Sequence, residues 1–215
     1  MYAGPAIHLV NLVPCAASLA TASVPLVQTI LARACLPIET VALAVCILDS
    51  LDARFARNWR LSCPLPGAPV ANKRHTLPAA TTFDHRQIHI DSVGPEVIVL
   101  AALVIASKFT DDLQASTLYY CRAWGADSWT HEQLNATERC IMASLDYRIM
   151  PLCHEDCLAD AMVDMQLAAQ DEDEDQQFDW PLTPPDSGAT SEDDFVPSHS
   201  RSRTVAAPSA GFFHE

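Results

Sequence analysis

Lysine is nearly missing from this sequence: 215 residues contain only Lys73 and Lys108. Basic charge as a whole is thin, with 13 Lys and Arg against 27 Asp and Glu and a net charge of −14. The deficit is uneven. From Glu155 onward fifteen acids face two arginines, whereas residues 1–154 carry twelve acids and eleven basic residues. A near-neutral body with an acidic tail offers no basic stripe to displace counterions from phosphates, which argues against general nucleic-acid binding. Six basic residues (Arg54, Arg57, Arg60, Lys73, Arg74 and Arg86) do share one stretch. It reads as a solvated loop, with a nuclear-import signal as the competing reading.

The sequence also has no Gly-rich phosphate loop and no nucleophile elbow, and His85 and His89 have no recognisable nucleophile to serve, so an enzyme finds little support. The run CHEDC, Cys153 to Cys157, sets two thiols four residues apart around His154. No second Cys/His pair at zinc-like spacing accompanies it, so neither metal nor cofactor is expected. The eight cysteines argue against a disulfide scaffold, because several lie within apolar helical patterns where free cysteine acts as a small hydrophobe. Reduced thiols fit a cytosolic or nuclear protein, and nucleus and cytoplasm are the expected compartments. Residues 1–32 contain no Lys, Arg, Asp or Glu, a pattern that secretion or membrane insertion would also produce. A basic leader is missing, however, and Pro14 and Pro25 interrupt any spanning helix, so no membrane association is expected. Residues 1–22 read as a poorly ordered apolar segment.

With 49% hydrophobic residues the chain can bury one domain of ~100–150 residues plus appendages. Ser23 is a good helix cap, followed by Pro25 in the first turn and apolar Val27, Ile30, Leu31 and Ala34. Pro37 opens a longer helix, PIETVALAVCILDSLDARF, whose middle is apolar on nearly every face and therefore buried. From Ala56 to Gly94 the pattern dissolves into prolines and polar residues and reads as an insertion. GPEVIVLAALVIASKF restores regularity. Its β-branched residues allow a buried strand, yet the fifteen residues from Pro95 to Phe109 and the alanines at 101, 102 and 106 favour a helix with close neighbours. A short helix is expected near Ala115 to Arg122. Thr130 and Gln133 then form a capping box ahead of the stripe Leu134, Ile141, Met142 and Leu145. CHEDCLADAMVDMQLAAQ forms a last amphipathic helix, and residues 165–215, rich in acids, Pro and Ser, have the composition of disorder. No strand is needed and no internal repeat is apparent, so the chain is predicted to be all-α.

The order of these helices, with CILDSL at 46–51, LAALVIASKFTDD at 100–112, CRAW at 121–124 and ATERCIMASLDYRI at 136–149, resembles the cyclin box. It is most similar to the single-box fungal cyclins of the PCL type. The resemblance spans residues 23–164 and implies a box of about five helices, with residues 56–94 inserted between the second and third. It implies a noncatalytic activator of a cyclin-dependent protein kinase, in cell-cycle or nutrient-response control. By the same resemblance Lys108 donates to kinase carbonyls while Glu138 orients Lys108 and accepts from kinase amides. Phe109, Met142, Tyr147 and Ile149 complete the contact patch. Charge-assisted bonds at the rim of an apolar patch give orientation as well as affinity. The residues taken without the resemblance also allow Lys108 to be a cation at a helix C-terminus and Glu138 a solvated acid. A cyclin-fold scaffold or transcription-related adaptor is the alternative function. Asp49 matches a family aspartate that pairs internally with an arginine, but Ser50 stands where the family usually has Arg. Finally, PLTPPDS resembles phosphodegrons read by F-box ubiquitin-ligase receptors, with Thr183 before Pro184 and Ser187 four residues along.

Overall fold

The computed structural model describes residues 2–65, 89–112 and 114–175, the last five without their side chains. All of these lie in the first of two units, residues 1–178; the second, 179–215, is outside the described residues. The described residues are all-α, with no strand. The helices are α1 (Ala3–Asn11), α2 (Val24–Ala34), α3 (Ile38–Asp49), α4 (Ala53–Ser62), α5 (Glu96–Thr110), α6 (Thr117–Ala123), α7 (His131–Ser144) and α8 (Glu155–Asp175). Short 3₁₀ turns cover Ile90–Ser92 and Met150–Cys153.

α5 is the centre of the core. Every residue from Glu96 to Ser107 is buried, as expected of a helix apolar on all faces, and it packs between α3 and α7 with α2 and α1 also in contact. Each fully buried Leu, Ile or Val on it contributes about 1.5–3 kcal/mol of transfer free energy. The one acid in this stretch has a structural use. Glu96 accepts the backbone N–H of Ser23 at 2.7 Å, while the Ser23 hydroxyl accepts from Leu26 N–H and caps α2. The start of α2 is thereby tied to the start of α5. A Cβ on Gly94 would lie 2.6 Å from the Glu96 carboxylate, so the bare backbone leaves room for that bond.

Three sequence expectations are corrected. The helix opening at Pro37 does not continue to Phe55. It stops at Asp49, and Asp52 caps a new helix by accepting the Phe55 N–H at 2.9 Å. α4 then buries Phe55, Ala56 and Trp59 completely, so the supposed insertion 56–94 does not begin at 56. Its far end is also part of the fold. Ile90 and Val93 are buried, and Asp91 accepts from Arg60 at 2.8 Å and from Leu19 N–H at 3.0 Å, with His89 Nδ1 at 2.6 Å. Residues 66–88 lie outside the described residues.

Residues 1–22, expected to be poorly ordered, include α1, whose Ala6 and Leu9 are fully buried against its neighbours α8 and α2. The close approach to α8 runs through Gly4, where a Cβ would lie 2.2 Å from the Met165 carbonyl oxygen and 2.8 Å from the Ala169 side chain. Correspondingly, the folded unit does not end at 164. α8 continues to Asp175 with Ala161 and Met165 buried, because this helix packs on α1 and α3 while Glu155, Asp156, Asp160 and Asp164 stay exposed.

Candidate functional site

α5 and α7 converge at Lys108 and Glu138. Lys108 occupies the last turn of α5, where the C-terminal dipole favours a cation. α7 is held in register by its capping box, Gln133 N–H to Thr130 hydroxyl at 3.2 Å and Thr130 N–H to Gln133 Oε1 at 3.0 Å. Further along α7, the Trp59 indole donates to Thr137, which itself donates to the Gln133 carbonyl. Glu138 is the next residue, so its backbone is braced from the core.

The two side chains meet in an ion pair, Lys108 Nζ to Glu138 Oε2, at 2.6 Å. They are only 26% and 14% exposed, which removes the reading of Glu138 as a freely solvated acid. Glu138 Oε1 is buried and has no hydrogen-bond partner among the described residues. An unmade bond to a buried oxygen costs roughly 1–3 kcal/mol, and more when the group is charged. Lys108 has two further contacts, one at its ammonium and one at its backbone. The Tyr120 ring lies with its centroid 5.7 Å from Nζ, and Gln114 Nε2 donates to the Lys108 carbonyl at 3.3 Å.

The other candidates fall into two groups. Phe109 is 42% exposed and Tyr147 is 70% exposed, so both can meet a partner. Tyr147 is also held at a φ of 59°, directly after Asp146 at 49°, an uncommon conformation for residues with a side chain. Its N–H reaches back to the Met142 carbonyl at 2.9 Å and closes the end of α7. Met142 is half-buried and packs against the core. Ile149 is 7% exposed and belongs to the core cluster, so a surface role for it is corrected: the chain turns it inward just past the helix end. Thr183 and Ser187 lie outside the described residues.

Asp49 is exposed, and among the described residues it forms no ion pair; an arginine–aspartate pair does form elsewhere, between Arg60 and Asp91. Neither was a candidate, since Arg60 looked like loop charge and Asp91 lay within the supposed insertion. Tyr120 was also missed. Its aromatic neighbours in sequence were visible, but its place under Lys108 depends on how α6 packs against α7.

Among the described residues no group of three or more His, Cys, Asp or Glu is placed to hold a metal ion. His154 faces Asp156 at 3.4 Å, and Cys157 offers its carbonyl to the Cys46 thiol at 3.5 Å. Burial pushes the Cys46, Cys63 and Cys121 thiols up to about 11, away from the thiolate form needed for nucleophilic chemistry. No described helix is long and apolar enough to cross a membrane. No family model, curated protein or solved structure matches the chain.

Proposed function

We propose that the chain is a cyclin-type regulatory subunit, noncatalytic itself, that binds and activates a cyclin-dependent protein kinase. The observation that carries the reading is the half-buried Lys108–Glu138 pair with its unpartnered carboxylate oxygen. An ion pair that only stabilised the domain would have both oxygens satisfied or solvated. The second oxygen lacks a partner and is covered in the free protein, so a donor such as a backbone N–H of the partner reaches it only when the pair shifts on docking. The ammonium has three N–H donors and gives one to Oε2, so it can still reach a partner carbonyl. Exposed Phe109, next to the lysine in the chain, supplies apolar area beside the charged pair. By the cyclin resemblance, the partner surface is the backbone beside the kinase's mobile helix, and docking there aligns the kinase's own Lys–Glu pair.

The test uses the full-length chain as bait in extract from its own cells, followed by assay of the recovered material on a Ser/Thr-Pro peptide. A proline-directed kinase whose activity rises with added chain is the expected result. Recovery of no kinase, or of one whose rate is indifferent to the chain, would sink the reading.

A further inference from the structure

α6 is a helix of seven residues, too short to be stable alone, yet its Tyr120 is 97% buried in contact with the candidate site. The ring is clamped from several sides. Trp124 packs edge-on at 4.7 Å between centroids, and Tyr119 does so at 5.7 Å. The Tyr120 hydroxyl accepts the Ala115 N–H at 3.3 Å, so both ends of the side chain are fixed. Trp124 is itself held, since its carbonyl accepts from Arg33 at the end of α2 at 3.3 Å. Just past α6 the chain passes close to α5, where a Cβ on Gly125 would lie 3.2 Å from the Leu100 side chain.

A lysine ammonium at the end of a four-carbon stem ordinarily samples many rotamers, and holding it in one costs side-chain entropy. Here it sits 5.7 Å from the Tyr120 centroid and 2.6 Å from one oxygen of Glu138. An aromatic face attracts a cation within about 6 Å of its centroid. The ring therefore supplies a second fixed attractor. The ammonium stays on Oε2, and Oε1 has no partner among the described residues.

We infer that Tyr120 is the positioning residue of the candidate site: its ring holds the Lys108 ammonium against Glu138 Oε2 and so fixes the pair in one arrangement. The value of that geometry to binding rests on the kinase-activator reading, but the placement of Lys108 does not.

The test exploits the scarcity of lysine, because ¹³C-lysine labelling of the full chain yields side-chain signals from Lys73 and Lys108 alone. In the wild-type protein the Lys108 ε-methylene signal, assigned by its loss in Lys108→Ala, is expected upfield of free lysine through the ring current. Tyr120→Phe keeps the ring and should keep that shift. Tyr120→Leu removes the ring and should return the signal to the free-lysine position. For binding to the kinase recovered by the full-length bait, Tyr120→Phe should match wild type, and Tyr120→Leu should bind about 2- to 5-fold more weakly. A wild-type Lys108 signal at the free-lysine position overturns the inference without recourse to any Tyr120 variant, as does a shift that survives in folded Tyr120→Leu. If Lys108→Ala binds kinase normally, the kinase reading falls, while the ring-current result still decides the role of Tyr120.

Discussion

The indole of Trp59 donates to the hydroxyl of Thr137 over 2.8 Å, with both side chains fully buried. That bond joins α4, in a stretch whose sequence looks like loop, to the helix that carries Glu138. Trp59→Ala removes the largest fully buried side chain among the described residues and one partner of Thr137. A loss of about 3–5 kcal/mol in unfolding free energy is expected from urea titration. A loss under about 1 kcal/mol would mean that residues 56–65 are peripheral to the fold.

What the sequence revealed and hid follows from how local the signals are. α5 was legible because fifteen residues of apolar sequence exceed any ordinary strand, and α2 and α7 because Ser23 and Thr130 cap them through bonds spanning three residues. The approach of Lys108 to Glu138 came from the family resemblance, since thirty residues separate them. α1 was hidden because Gly4 and Pro5 are poor helix formers and nothing in residues 1–22 shows α8, the helix that Gly4 allows to approach. α4 was hidden for a different reason. Phe55, Ala56 and Trp59 have helical spacing, but three arginines and the prolines that follow masked the stripe, and Asp52, the actual cap, was absorbed into the helix read from Pro37 to Phe55.

Asp91 should leave a signature in the pH dependence of stability. The Arg60 guanidinium, and after it the Leu19 N–H, hold the Asp91 carboxyl at about 2, below its ordinary 3.8. A carboxyl with a depressed folded-state pKa contributes stability that is fully present above the unfolded value and is lost as pH falls through the folded one. Asp91→Asn should therefore be less stable than wild type at about pH 5, and the margin should close between about pH 4 and 2. Urea midpoints of the two proteins across that range give the comparison; a margin still unchanged at the acid end would rule out Asp91 as its source.

Thiol reactivity should report the packing of α4 and α6. Cys63 and Cys121 are held near 11 mainly by burial, with the negative charge of Glu138 adding to the effect at Cys121, whereas Cys15, Cys35 and Cys157 are exposed. Iodoacetamide at mildly alkaline pH should alkylate the exposed three first, with Cys63 and Cys121 slower by on the order of 100-fold or more, since only the thiolate reacts. Denaturant should erase the difference. Peptide mapping by mass spectrometry reads each site separately, and rapid labelling of Cys121 in the native protein would contradict the seating of α6.

The Lys108–Glu138 pair makes the sharpest separation between stability and binding. Lys108→Ala and Glu138→Ala should each leave unfolding free energy within roughly 1 kcal/mol of wild type, as changes outside the packed core do. For Glu138 there is an added reason: truncation removes the ion pair but also the buried oxygen that has no partner in the free protein, so the two effects oppose each other. Binding to the proposed kinase partner should behave differently. Each substitution strips one member of a charged network that the complex desolvates, leaving kinase backbone groups unpaired, and should weaken binding by roughly 2–5 kcal/mol. Because Glu138 orients Lys108 at 2.6 Å, the double variant should lose less than the sum of the two single losses. Thermal unfolding and kinase affinity measured on the same four proteins complete the cycle. Intact binding in the double variant would remove the pair from the interface, and unfolding of either single variant would make the pair a structural tie between α5 and α7.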